Sequence, residues 1–369
     1  MQSFTFKELF NFKPPEANRL GWIDYAKGIA IILVVYRHVV FGLKGSGVVV
    51  PQWLIDGNNM FYSFRMPLFF FLSGLFFERS IARKGETGFF ITRVNTLLYP
   101  YLLWAFIQIS LQILFSSVVN AHRTGADYLN ILIQPRHLDQ LWYLFALFNV
   151  TLLYLLVAKL FRYDKFAQVL VSLALLAIAP LVNSISTLYD IALHYIFFCI
   201  GNLTASYFFS EKTQDKLSSA YGLLILLPVF AVCQYYFLHH QQMNLFLYTG
   251  IALVGSLFTI MLSFQLAKYK AMPILKTFGH YSLYIYLLHV PIVSVIRYFM
   301  IATPMRQHIV ITLLLLIFIA IFFSIIVYRL CMRLRLGFLF TGPFTAPPYN
   351  PQTVATPKNA FINGRKKEI

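Results

Sequence analysis

Ten long apolar runs separated by short polar stretches organise this chain. The first covers about 23–43. The others cover about 60–77, 96–119, 141–161, 166–186, 190–209, 219–238, 246–267, 281–302 and 307–332. Each is near the roughly 20 residues that an α-helix needs to cross a bilayer. None shows the short alternating segments of a barrel. Backbone in lipid must satisfy its own hydrogen bonds, so the pattern predicts an all-α polytopic membrane bundle of about ten transmembrane helices. Residues 1–20 mix Phe4, Phe6, Phe10 and Phe12 with Lys7 and Lys13, which predicts an amphipathic surface segment ended by Pro14-Pro15. The membrane domain is read as 21–335. Residues 336–369, rich in Pro and Asn and basic at the end, are read as a disordered cytoplasmic tail. The sequence shows no convincing internal repeat, and neither a soluble second domain nor a cleavable leader is expected from it.

Composition supports the membrane class and explains the charge. Only 12% of residues are charged, against roughly 25% in a soluble domain, and the mean hydropathy is +0.69. The formal net charge of +17 would point to nucleic acid in a soluble protein. Here the segments on one side collect most of the Lys and Arg. The other side holds only Lys44, Arg123, Arg136 and Arg306, so the bias follows the positive-inside rule and no nucleic-acid partner is expected. Ten spans with that bias place both termini in the cytoplasm. Cys199, Cys233 and Cys331 fall in or beside spans without a metal-ligand spacing, so buried thiols are expected, with no disulfide framework and no metal.

Ionisable groups inside such spans are expensive and are read as functional. The first run, RLGWIDYAKGIAIILVVYRHVVFGLK, places Lys27 at its start and His38 deep inside. Eleven residues give a net rotation of about 20° and an axial rise of roughly 16 Å, so both point from one face. Arg65 lies at similar depth in the second run, before Met66-Pro67. Pro67 frees the carbonyl of Ser63 and predicts a kink, while Ser73-Gly74 permits close helix approach. His289, followed by Pro291, is a second imidazole near mid-membrane. His194 and Arg297 are weaker candidates, and His122, His137, His239 and His240 fall in outer loops. On the cytoplasmic side Lys27, Arg79, Arg83, Lys84 and Arg93 cluster on adjacent segments. Topology alone accounts for most of these charges; the functional alternative is a phosphate site for an anionic donor. These parts suit acyl transfer: imidazole is a base near neutral pH, and a buried cation stabilises a developing oxyanion.

The ordered motifs IDYAKGIAIILVVYRHV, FRMPLFFFLSGLFF, RVNTLLYPYLLW, LWYLFALF, HYIFFCIGNL and YSLYIYLLHVPI resemble the acyltransferase-3 family of integral membrane O-acyltransferases over about 20–300. DYAKG resembles its fucose and exopolysaccharide acetylase branch. The resemblance implies ten core spans, acetyl-CoA as cytoplasmic co-substrate, a carbohydrate acceptor bound for the cell surface, and residence in a bacterial inner membrane. It also implies a catalytic histidine at His38. Three positions depart from the family pattern: Lys27 replaces a frequent arginine, Arg65 stands where many relatives have histidine, and Arg93 is followed by Thr96 where a second arginine occurs. The resulting expectation is an O-acyltransferase with His38, Arg65 and His289 as catalytic residues. Lys27, Arg93, Arg79 and Arg83 would bind the acyl-CoA donor. The alternative is a transporter or flippase of glycan intermediates, which predicts broken helices in both halves, with Pro67 and Pro291 as the sites.

Overall fold

The computed structural model describes residues 20–116, 120–121 and 123–346. The expected amphipathic segment, apart from its last residue, His122 and the tail beyond 346 lie outside the described residues. Among the described residues there is no strand, and nine helices are long and apolar enough to cross a membrane. The chain is thus an all-helical multi-pass membrane bundle. In order the α-helices are α1 (Gly21–Gly45), α2 (Gln52–Met60), α3 (Tyr62–Leu75), α4 (Phe77–Arg93), α5 (Tyr99–Leu114), α6 (Trp142–Leu160), α7 (Lys165–Ile178), α8 (Ser186–Phe208), α9 (Glu211–Leu217), α10 (Ala220–His239), α11 (Leu245–Lys268), α12 (Pro273–His280), α13 (Ser282–Ile301) and α14 (Ile309–Arg333). A π segment, Val94–Leu98, joins α4 to α5.

Two glycine contacts draw the centre together. Lipid tails are as apolar as Leu, so helices in a membrane associate through close packing rather than through expulsion of water. A Cβ on Gly28 of α1 would stand 2.0 Å from the Leu275 carbonyl oxygen, and one on Gly279 of α12 would stand 1.7 Å from that of Asp24. The second contact joins α3 to α8: Gly74 lies under the Phe198 carbonyl and Gly201 under that of Phe71, with 2.1 and 2.2 Å to a notional Cβ. Gly74 thus serves the close approach its sequence context predicted. α1 also packs on α3, α11, α13 and α14, and is the hub of the bundle. α10 lies at the periphery. Only 11% of it is buried, and it turns Leu224, Ile225, Val232 and Tyr235 outward, which suits a lipid-facing helix.

The second span is shorter than its apolar run implied. α3 has 14 residues, about 21 Å of rise, against a hydrocarbon core of about 30 Å. It is extended by α2 beyond Phe61 and by the first half of α4 beyond Phe76. The basic stretch 78–93, expected as a loop, is helical except at Gly85, whose φ of 68° makes the turn. Phe77 packs edge-on to Phe89 across that turn, and the third span therefore starts near 86. A charged surface run conceals this helix from a hydropathy reading.

The prolines also behave differently from expectation. α3 runs through Pro67 and α13 through Pro291 without a break, contrary to the broken helices the transporter alternative predicts. The Ser63 carbonyl that Pro67 leaves unpaired accepts instead from the Tyr248 hydroxyl at 3.0 Å. Residues 337–346 are not loose either. Phe340 is buried beside Tyr284, Tyr328 and Trp104, and Trp104 Nε1 donates to the Leu339 carbonyl. The Asn95 side chain, in the π segment, donates to the Phe344 carbonyl and accepts from its N–H. This correction concerns only the start of the expected tail. Apolar and aromatic residues there, spread singly among Gly, Pro and Thr, make no periodic pattern to read.

Between α5 and α6 the chain forms 3₁₀ turns, Gly125–Ile131 and Pro135–His137. The Thr124 N–H, with help from Asn130 and Arg123, holds the Asp127 carboxyl below the usual carboxylate range. This ordered loop covers the end of the bundle where α1 finishes, called here the Gly45 end.

Gly201→Leu would drive a side chain into the α3 backbone, at a cost of about 3 kcal/mol. Its yield of monodisperse protein in detergent and its melting temperature should fall well below wild type. Gly250→Ala, with nothing within 4 Å of the new methyl, should leave both unchanged.

Candidate active site

The contact between α1 and α12 sets the register of the histidines. It places α12 across the start of α1, and the chain turns at Tyr281 into α13, which runs alongside α1. His38 and His289 then meet, with ring centroids 5.2 Å apart and planes at 62°. About two turns further along α13, Arg297 lies over Gly42, one turn past His38 on α1. His289 is fully buried, whereas His38 is half-buried.

Hydrogen bonding fixes the His289 tautomer. Nδ1 lies 2.8 Å from the Ile285 carbonyl oxygen, which can only accept, so Nδ1 carries the proton. The lone pair of a neutral imidazole is then on Nε2, which is buried without a partner among the described residues. One turn earlier on α13, the Tyr286 hydroxyl is likewise buried and unpaired. An imidazole with a bare Nε2 against a second imidazole can take a proton from a hydroxyl delivered between them.

Arg65 is 2% exposed but is not placed as a bare cation at the histidines. Its Nη1 donates to the Asn58 side chain at 2.9 Å and to the Leu33 carbonyl at 3.2 Å, which ties α3 to α2 and α1. Its guanidinium lies 4.7 Å from the centre of the Tyr62 ring, and Arg37 lies 5.1 Å from the same ring.

A second constellation was largely missed by the sequence. Arg136, read there as a loop charge, donates to the Asp190 carboxylate from Nε at 2.8 Å and from Nη2 at 2.5 Å. Asp190 is completely buried, and Arg136 lies over the Trp142 and Tyr189 rings. One turn along α8, His194 holds the Asp190 backbone carbonyl through Nδ1 at 2.8 Å and stacks on Phe70. Asp190 and His194 at i and i+4 share one helix face, which is the only signal the sequence gives. Arg136 comes from another element, so no spacing rule finds the pair. Arg136, Trp142, Tyr189 and His194, with Tyr62 and Tyr248, line a cavity of about 230 Å³ at the Gly45 end, and Asp190 lies buried behind Arg136.

The four residues expected to hold a donor lie toward the other end. Arg79 is exposed and stacks 3.4 Å above Phe209; Arg83 is exposed on the same helix. Arg93 lies over Phe89, with Nε buried and without a hydrogen bond, immediately before the π segment. Arg83 and Arg93 both act on Lys84, so the turn at Gly85 concentrates positive charge. Lys27 is half-buried on α1 near the same end. Among the described residues no group of three or more His, Cys, Asp or Glu could hold a metal.

Fold and site together define a multi-pass helical membrane protein built around a buried imidazole pair. Residues 20–329 match the family model described as an acyltransferase domain, and the chain belongs to the acyltransferase-3 family. It is similar to the nodulation protein NolL of Mesorhizobium japonicum, 30% identical over 190 residues. The match takes in 51% of this chain and 48% of that protein, so the chain spans about half the length of its curated relative. No solved structure matches the chain.

Asp190→Asn would leave the Arg136 charge uncompensated. Arg136 is 32% exposed, so the loss is put at about 2 kcal/mol, below the 3–5 of a fully buried pair. Pairing it with Arg136→Gln should recover part of the lost thermal stability. Additive losses in that double-mutant cycle would mean the pair contributes no coupling.

Proposed function

We propose that this protein is a membrane O-acyltransferase that moves an acetyl group from acetyl-CoA, bound at the cytoplasmic end, to a sugar hydroxyl of a cell-surface glycan or its lipid-linked precursor. The bacterial inner membrane, with both termini cytoplasmic, is the setting. The observation that carries this reading is the His38–His289 pair, held 5.2 Å apart with a bare Nε2 inside the bundle. Family membership supports acyl transfer as the chemistry. The donor's phosphates would meet Lys27 and Arg93 first, with Arg79 and Arg83 at the mouth. The thioester arm would then climb about 16 Å, the rise from Lys27 to His38.

The reaction needs one proton moved twice. The acceptor hydroxyl gives its proton to imidazole as its oxygen attacks the thioester carbonyl. A tetrahedral oxyanion forms, collapses, and the acetyl–sulfur bond breaks as the ester bond is made. The imidazolium returns the proton to the departing thiolate. His38, half-buried, is the better placed of the two to reach substrate. His289 steadies the imidazolium through its free Nε2, as the second base of the pair. Arg37 and Arg65 supply positive potential where the oxyanion develops. Arg65 also holds α1, α2 and α3 in register through Leu33 and Asn58.

The test is transfer of radiolabelled acetyl from acetyl-CoA to membrane glycan in vesicles. His38→Ala should lose at least about 10²-fold, the scale of general-base catalysis. His289→Ala should fall by about 10-fold or more, with acetyl-CoA binding kept in both. Wild-type transfer by His38→Ala at equal protein level would remove the mechanism.

A further inference from the structure

The cavity at the Gly45 end is unevenly charged. Arg136 lines it, and Arg37 and Arg65 stand behind its Tyr62 wall. Against these three guanidiniums there is one carboxylate, Asp190. The other acids of that end are occupied elsewhere. Asp127 and Asp139 face Arg123, and Asp56 accepts from Gln52. Among the described residues no ion pair includes Arg37 or Arg65. Asn58 and the Leu33 carbonyl give Arg65 neutral partners, and Arg37 has the Phe41 and Tyr62 rings.

Cations left without counter-ions inside a membrane bundle are costly. An anionic ligand in the cavity would offset that cost. Its other walls include Trp142, Tyr189, Phe237 and Tyr248, aromatic surfaces suited to the apolar face of a sugar ring. Gln241 and the exposed edge of Arg136 offer polar groups for hydroxyls. The volume, about 230 Å³, falls below the roughly 300–1,000 Å³ of pockets for drug-sized ligands, so it suits one saccharide unit rather than a chain.

We infer that this cavity is the acceptor subsite and that it selects a saccharide unit bearing an anionic group, a carboxylate or a phosphate. The inference rests on the acyltransferase reading for the word acceptor, but the binding it describes does not depend on turnover. The anion is drawn to the Arg37–Tyr62–Arg65 wall, the ring lies on the aromatic residues, and Arg136 stays with Asp190. Specificity then comes from charge and one ring, while the reacting hydroxyl extends toward His38.

The experiment is calorimetric binding to the purified full chain in detergent, with three single-ring probes: glucose, glucuronic acid and glucose 1-phosphate. At least one anionic monosaccharide should bind ten-fold or more tighter than glucose, and the gap should narrow as salt is raised. Carboxylate alone favoured identifies a uronate acceptor; phosphate alone favoured identifies a phosphorylated one; both favoured means that charge decides. Arg37→Gln should abolish the preference, and Arg136→Gln with Asp190→Asn, which avoids a lone buried charge, should weaken all three. Equal affinity for the three probes, or no binding of any, overturns the inference. So does an Arg37→Gln variant that loses acetyl-CoA affinity instead, since the cations would then serve the donor. Failure of acetyl transfer in vesicles with the anionic preference intact would overturn only the acyltransferase reading.

Discussion

Backbone-to-backbone contact between α1 and α12 is the constraint on which the rest of the centre depends. Gly28 and Gly279 remove the two Cβ atoms that would hold the helices apart, and carbonyls of the opposite helix fill their place. In lipid this closeness is itself the source of association, because dispersion between backbones replaces the missing hydrophobic drive. From that contact the chain turns once, at Tyr281, and α13 follows α1. The pairing of His38 with His289, and of Gly42 with Arg297, is the register this first contact imposes.

The second glycine contact, Gly74 with Gly201, does the same for α3 and α8. It brings Tyr62 from α3, with Arg65 behind it, to the side of a cavity whose other walls include His194 from α8. Polar groups freed by proline are taken up in the same region, as Tyr248 takes the Ser63 carbonyl. Irregular backbone at membrane depth is tolerated where such partners exist, and here α3 continues through Pro67.

Charge divides the molecule along its axis. Near the Gly85 turn, Arg79, Arg83, Lys84 and Arg93 gather on one helix beside the packed segment 337–346. At the Gly45 end a different set of guanidiniums surrounds Tyr62 and the cavity. The imidazole pair lies within the bundle between them. In the proposed reaction, an anionic donor at one end and an acceptor at the other would meet at the histidines without either crossing the whole bundle.

The sequence by itself determined the membrane class and marked two histidines inside apolar runs, though it read ten spans where nine helices are long and apolar enough to cross a membrane among the described residues. Length and hydropathy of a span are local properties, and a charge in an apolar run is visible without a structure. It also located Gly74 and the carbonyl that Pro67 frees, since both follow from one helix's geometry. Tertiary structure alone decided that His38 faces His289, that Arg65 is engaged by Asn58 and Leu33, and that Arg136 finds Asp190. These are contacts between elements far apart in the chain, and helical periodicity says which face a residue occupies but not which helix that face meets. The helical turn at Gly85 and the packing of Phe340 were hidden for a related reason. Their stability comes from neighbours, Phe89 in one case and Trp104, Tyr284 and Tyr328 in the other, rather than from a pattern in their own residues.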